Sequence, residues 1–91
     1  LIASLQAALA QGTDQSLAAL GITPEQAGAD LERLEQLILT RQPEGQTELE
    51  VLHDRYRGAP PPRKGQTASL AYRLYLLFLD RWNVWPTRRN H

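Results

Sequence analysis

The chain of 91 residues has room for one hydrophobic core of normal size and for no second one. Hydrophobic residues make up 42% of the chain and charged residues 22%, a globular composition that excludes an intrinsically disordered segment. Cysteine is absent, which excludes a disulfide framework and a thiolate zinc site, and two histidines are too few for a dedicated metal cage. We therefore expect a single domain over residues 1–91 with no bound metal or cofactor.

The sequence carries no signal for a membrane or for secretion. Its longest strongly apolar run, Leu74 to Leu79, has six residues, whereas a membrane span needs roughly 20. No basic segment precedes an apolar stretch as it does in a signal peptide. We expect a soluble, cytoplasmic protein with no membrane partner, and the abundance of Ala, Leu, Gln and Arg is typical of bacterial proteins.

Two short helices are predicted at the beginning of the chain. Apolar residues spaced by three and four mark the first, which ends near Gly12; they are Leu1, Ile2, Leu5, Ala8 and Leu9. Thr13 can cap the second, which ends at Gly21 because glycine readily adopts the left-handed conformation of helix ends.

A third helix is predicted from the residues around Thr23. The Thr23 hydroxyl can cap it, Pro24 suits its first turn, and Gln26 completes a capping box. Its apolar positions extend to about Thr40; they are Leu31, Leu34, Leu37 and Ile38.

Residues 38–52 allow two alternatives. Thr47 and Glu50 form a second capping box, with Leu49, Leu52 and Tyr56 at helical spacing, which predicts a helix ending at Gly58. In the alternative, residues 37–41 and 47–52 pair as a hairpin wing across the turn at Pro43, because polar and apolar residues alternate in the second segment.

A Pro-rich linker over residues 58–66 precedes the most apolar segment of the chain. Thr67 or Ser69 can open a helix over residues 67–82 whose polar face is narrow, consisting essentially of Ser69, Arg73 and Asp80. Residues 86–91 form a basic tail. These elements predict an all-α, compact orthogonal bundle of four or five short helices, with residues 70–82 at its centre and a helix-turn-helix-like corner near Gly21.

Residues 17–35 combine a short helix, a glycine turn, a Thr cap and the sequence Asp30-Leu31-Glu32-Arg33-Leu34-Glu35. This segment resembles the helix-turn-helix of DeoR-type bacterial repressors. The resemblance implies a second helix that enters the DNA major groove, with basic residues just before the Asp-Leu pair. Here Gly28 and Ala29 occupy those positions, and the helix is rich in acidic residues, which repel phosphate.

The charges are distributed unevenly along the chain. Residues 1–50 have a net charge of −6 and residues 51–91 a net charge of +6. Such asymmetry indicates binding to nucleic acid or to a charged protein surface. The first hypothesis is therefore a non-enzymatic bacterial regulatory module associated with DNA, which binds through its basic C-terminal half. Its candidate nucleic-acid-binding residues are Arg55, Arg57, Arg63, Lys64, Arg88 and Arg89.

The second hypothesis is a protein–protein interaction module of the assembly, anti-activator or secretion-adaptor type, which docks through helix 67–82. That helix has more apolar surface than four short helices easily cover, so we expect a homodimer or a hetero-complex. Its candidate interaction residues are Tyr72, Leu76, Leu79 and Trp85. We expect Trp82 in the core, and Trp85, which lies beyond the helix end, either folded back onto the bundle or open as a contact residue, with little effect on stability when it is truncated.

An enzymatic function is not expected, and neither is a small-molecule substrate. The only internal histidine, His53, is predicted to lie on an exposed helix turn, with no nucleophile arranged beside it. The sequence has no GxGxxG, phosphate-loop or HExxH motif.

Overall fold

In the computed structural model, which describes residues 1–12 and 14–86, the chain forms five α-helices. They are α1 (Ile2–Gln11), α2 (Ser16–Ala19), α3 (Pro24–Thr40), α4 (Gly45–Arg55) and α5 (Leu70–Asn83). The described residues contain no β-strand, which confirms the predicted all-α bundle. None of these helices is long and apolar enough to span a membrane.

The end signals read from the sequence determine where α3 begins. The Thr23 hydroxyl accepts a hydrogen bond from the Gln26 backbone N–H at 3.1 Å, and Pro24 is the first helical residue. Only half of the predicted capping box forms, because the Gln26 side-chain amide donates to Asp30 instead. Gly12 and Gly21 both have positive φ at the ends of their helices, as expected. The predicted cap Thr13 lies outside the described residues.

Residues 45–55 form a helix, so the hairpin alternative is wrong. The reason is the apolar spacing, since Leu49, Leu52 and Tyr56 are all buried on one face of α4. This helix begins at Gly45, two residues before the predicted cap Thr47.

Helix α5 lies at the centre of the bundle, as predicted, and packs against α1, α2 and α4. Its core-facing side chains are spaced by three and four residues; they are Leu70, Ala71, Leu74, Leu77 and Phe78. The Phe78 ring stacks on Tyr56 with a centroid distance of 5.4 Å, which joins α5 to the end of α4.

The first turn of α5 is bound by residues from the opposite end of the chain. The Asp14 carboxylate accepts the Leu70 backbone N–H at 3.0 Å, and the Ser16 hydroxyl accepts that of Ala71 at 2.9 Å. The Ser69 hydroxyl accepts the Tyr72 N–H, so three backbone donors of the helix start are satisfied. Burial raises the pKa of Asp14, but hydrogen bonds from Ser16 and Leu70 outweigh burial and lower this pKa overall.

A buried carboxylate, Asp30, joins α3 to the end of α4. It accepts hydrogen bonds from the Tyr56 hydroxyl at 2.6 Å, from the Arg55 guanidinium and from the Gln26 amide at 2.9 Å. Burial, and then the hydrogen bond to Asp30, raise the pKa of Tyr56. These three donors compensate the Asp30 carboxylate inside the bundle, where an unpaired carboxylate would be strongly destabilising.

Of the two alternatives for Trp85, the indole folds back onto the bundle, and the open contact role is wrong, because only 3% of this residue is exposed. After α5 the chain turns back, and the Trp85 indole N–H donates to the Gln42 carbonyl at 2.8 Å. Trp82 is only half-buried at the edge of the core, where its ring lies 4.8 Å from that of His53. Trp85 rather than Trp82 is therefore the fully buried tryptophan.

The prediction for His53 is also wrong, since 2% of it is exposed. Its ring lies on the side of α4 that meets Trp82 and Tyr75 of α5. Among the described residues neither ring nitrogen has a hydrogen-bond partner, and the nearest carboxylate, that of Asp54, lies 3.6 Å from Nδ1. His53 therefore acts as an aromatic packing residue between α4 and α5.

Candidate interaction surface

The six candidate DNA-binding residues do not form one set of free cations. Arg55 is bonded to the buried Asp30, and Arg57 pairs with Asp54 at 2.9 Å. Arg63 and Lys64 are exposed on the connection between α4 and α5 and form no ion pair within the described part of the chain. Arg88 and Arg89 lie outside the described residues. Two of the six side chains thus have a partner within the fold.

The helix-turn-helix-like corner exposes acidic rather than basic side chains. Glu25, Glu32 and Glu35 are exposed on α3, and Ala29 offers no hydrogen-bonding side chain there. The one basic residue of that helix, Arg33, is held by two hydrogen bonds to Glu48 of α4. The side chains of α3 that reach solvent are therefore predominantly negative.

Three of the four predicted interaction residues share the outward side of α5. Tyr72, Leu76 and Leu79 are spaced by four and three residues, so they follow one side of the helix. This set, which we call the α5 face, lies roughly 200° around the helix from Leu70, Leu74 and Leu77 of the core. Leu76 is 43% exposed, and Tyr72 and Leu79 are half-buried.

Charged side chains of opposite sign flank the α5 face at its two ends. Arg73 is half-buried, and its buried Nε has no hydrogen-bond partner among the described residues. Asp80 lies two turns further along and bonds the neighbouring Arg81 at 2.7 Å, while 59% of its side chain is exposed. The face therefore has a positive group near its beginning and, near its end, a carboxylate that is paired with Arg81.

A separate shallow hollow lies where three helices meet. Its volume is about 410 Å³, and its apolar lining comes from the start of α1, the end of α3 and α5. The residues are Leu1, Ile2, Ala3, Ile38 and Leu77, with Asp80 and Arg81 at the rim. Sequence reasoning missed this hollow because only the tertiary fold brings these positions together.

Sequence reasoning also missed Asp30, although a signal was present. Asp30 lies three residues after Ala27 and four before Leu34, which places it on the apolar side of α3. A carboxylate at such a position needs partners from another helix. The Asp30 cluster is fully occupied by protein side chains.

The described residues offer little for metal or small-molecule chemistry. They contain no group of three or more His, Asp or Glu side chains placed to hold a metal ion. The cleft between α1 and α2 has a volume of about 160 Å³, which is below the roughly 300–1,000 Å³ of typical ligand sites, and the larger hollow of about 410 Å³ between α1, α3 and α5 is shallow.

Comparison of the chain with protein-family models, with curated proteins and with solved structures found no match.

Proposed function

We propose that this chain is a non-enzymatic protein–protein interaction module that pairs with a second copy of itself through the α5 face. The observation that carries the proposal is the exposure of Leu76 at the middle of this face, on the helix that otherwise forms the centre of the core. An exposed leucine between two half-buried apolar side chains gains free energy by leaving water.

The charges around the α5 face favour a second copy as the occupant. A two-fold axis at Leu76 places two α5 helices antiparallel, with one Leu76 against the other. Arg73 and Asp80 lie three residues before and four residues after Leu76. In such a pair each Arg73 lies near the Asp80 of the other copy. The two residues differ in position along the helix axis by one residue, or about 1.5 Å. The surface is thus complementary to itself in both charge and apolarity.

The size of the surface sets the strength that we expect. Stable dimers bury about 1,200–2,000 Å² in total, and a face of three apolar side chains, two of them half-buried, buries less than that. We expect dissociation in the micromolar range or weaker, so that concentration controls the assembly.

The test is the concentration dependence of mass, measured by sedimentation or light scattering from low micromolar to near-millimolar protein. We expect a monomer–dimer equilibrium that Leu76→Glu abolishes. Leu39→Glu is the matched control, because Leu39 is 84% exposed on α3, away from the α5 face, and the change adds the same charge. A wild type that stays monomeric throughout, or an equal effect of both variants, contradicts the proposal.

Association with DNA through the basic C-terminal half is the second candidate function. Arg63 and Lys64 favour it, because both are exposed and form no ion pair with a described residue. Since Arg55 and Arg57 pair with acidic residues of the fold, at most about four phosphate contacts remain from the original six.

The DNA hypothesis predicts a specific salt dependence. The logarithm of the affinity for a duplex should fall with the logarithm of salt concentration by about 0.9 for each phosphate neutralised. Arg63→Ala with Lys64→Ala should reduce this slope by nearly two units. Absence of any complex with duplex DNA at low salt contradicts this function.

A further inference from the structure

Three consecutive prolines followed by two cations lie on the surface between α4 and α5. Pro60, Pro61, Pro62, Arg63 and Lys64, which we call the proline segment, are all exposed. Neither proposed function uses the prolines, and nothing in the core requires them.

Proline chemistry fixes the backbone of this segment in an extended path. Each proline ring holds φ near −65°, and Ala59, Pro60 and Pro61 each precede a proline, which disfavours the helical region for them. Within the described chain no group donates a hydrogen bond to the carbonyls of Pro60, Pro61 or Pro62. The carbonyl oxygens of these prolines are therefore free to accept hydrogen bonds from a partner.

One end of the proline segment is anchored to the bundle, and the other end closes in a local turn. Before it, Ala59 is buried and its N–H donates to the Tyr56 carbonyl at 3.1 Å. After it, Gln66 closes a turn by donating its N–H to the Arg63 carbonyl at 2.9 Å, with Gly65 at a φ of 84°. Only a cleft of about 290 Å³ separates the prolines from α2.

We propose that the proline segment is a polyproline II-type docking ligand for a partner protein with an aromatic-lined groove and an acidic rim. Such grooves take rigid proline rings between aromatic side chains, and their donors bind the free carbonyls. Arg63 and Lys64 supply the charge that orients the ligand against acidic residues. Because the fold already holds the segment extended, little conformational entropy is lost on binding.

Nucleic acid is the less favoured partner for this segment. Single-stranded nucleic acid is bound by aromatic stacking platforms together with several cations, and the proline segment offers two cations and no aromatic ring. The prolines would contribute nothing to such a complex, whereas they are central to binding in a groove.

The experiment uses the full chain, labelled for NMR or fluorescence, and titrates it with a panel of isolated SH3, WW and EVH1 domains as probes of aromatic grooves. We expect at least one probe to bind in the micromolar range. Pro61→Ala with Pro62→Ala should weaken this binding at least tenfold, whereas Pro86→Ala, which changes an exposed proline outside the segment, should not. Melting temperatures should fall only slightly, because the altered prolines are exposed and their loss acts mainly through the entropy of the unfolded chain.

Charge variants complete the test. Arg63→Glu with Lys64→Glu should also weaken the probe by tenfold or more, because an acidic rim then repels the ligand. The proposal is overturned if no probe binds at near-millimolar concentration. It is also overturned if the double proline variant binds both the probe and an oligonucleotide as the wild type does, while the charge variant no longer binds the oligonucleotide. That result would indicate a nucleic-acid site that depends on the two cations alone.

Discussion

The indole of Trp85 packs directly against the backbone of Gly45, so that a Cβ at position 45 would lie 2.8 Å from Cζ2 of the ring. The indole N–H donates to the Gln42 carbonyl at 2.8 Å, just before the same turn, and the Gln46 side chain donates to the Trp82 carbonyl at 3.2 Å. These contacts join the chain after α5 to the start of α4.

Gly45→Ala should destabilise the protein, because the added methyl group requires the Trp85 ring to shift. We expect a loss of about 1–3 kcal/mol in the free energy of unfolding, measured by urea denaturation. Gly28→Ala is the matched control, since Gly28 also lies in a helix and a Cβ there meets no atom within 4 Å. It should be neutral or stabilise the protein by up to about 1 kcal/mol. Equal effects of both variants would contradict the Gly45–Trp85 packing.

Trp85→Ala should cost more stability than Trp82→Ala. Truncating a fully buried tryptophan costs about 3–5 kcal/mol, and Trp85 is almost completely buried while Trp82 is half-exposed at the edge of α5. Trp85→Phe should recover most of the loss and leave a deficit of about 1 kcal/mol for the missing indole hydrogen bond. Thermal melting of the three variants measures the order, and a greater loss in Trp82→Ala would refute it.

Tyr56→Phe and Asp30→Ala compare the loss of one donor with the loss of the acceptor in the buried cluster around Asp30. The first removes one donor and leaves Asp30 with Arg55 and Gln26, so it should cost about 1–3 kcal/mol. The second leaves the Tyr56 hydroxyl and the Arg55 guanidinium without their acceptor and should cost about 3–5 kcal/mol. Glu48→Gln is the control on the exposed Arg33 pair, with an expected loss below about 1 kcal/mol. Denaturant unfolding at neutral pH gives all three values.

Asp14→Asn should change how stability depends on pH. The pKa of Asp14 is lower in the folded protein than the ordinary value of 3.8, so the unfolded chain takes up the proton first as pH falls. The stabilisation by the ionised Asp14 is complete above about pH 5 and is lost below about pH 4. The difference in unfolding free energy between wild type and Asp14→Asn should therefore shrink from pH 5 to pH 2. A constant difference over that interval would contradict the role of the charge.

Charge reversal tests the register proposed for the paired α5 helices. Asp80→Lys should weaken self-association, because each Arg73 then faces a cation of the other copy. Adding Arg73→Asp in the same chain restores opposite charges across the two-fold axis and should recover dimerisation at least partly. Sedimentation measures association, and melting of each variant excludes simple unfolding. A double variant weaker than Asp80→Lys alone would contradict this register.

Local signals predicted most of the fold. The caps at Thr23 and Ser69, the glycine at position 21 and the spacing of Leu49 and Leu52 depend on neighbours within one or two helical turns. The same spacing correctly placed Tyr72, Leu76 and Leu79 on one side of α5. These features are visible in sequence because the interactions that cause them are close in sequence.

The errors concern contacts between residues that are distant in sequence. Trp85 is buried because the chain reverses after α5 and meets Gln42, 43 residues earlier. His53 is buried because α4 turns its ring toward Trp82, and Arg55 is neutralised by a carboxylate 25 residues away. Helical periodicity predicts on which side of a helix a residue lies, but it does not predict which other element packs against that side. These placements therefore required the tertiary structure.

The binding of the first turn of α5 by Asp14 and Ser16 couples the two ends of the fold. The backbone amides of Leu70 and Ala71 donate to side chains 56 and 55 residues earlier in the chain, so neither amide can exchange its hydrogen with solvent until residues 14–16 move away. We therefore expect helix α2 and the start of α5 to open as one cooperative unit. Pulling residues 1–16 away from the bundle would expose the first turn of the central helix while its middle stayed protected by α4.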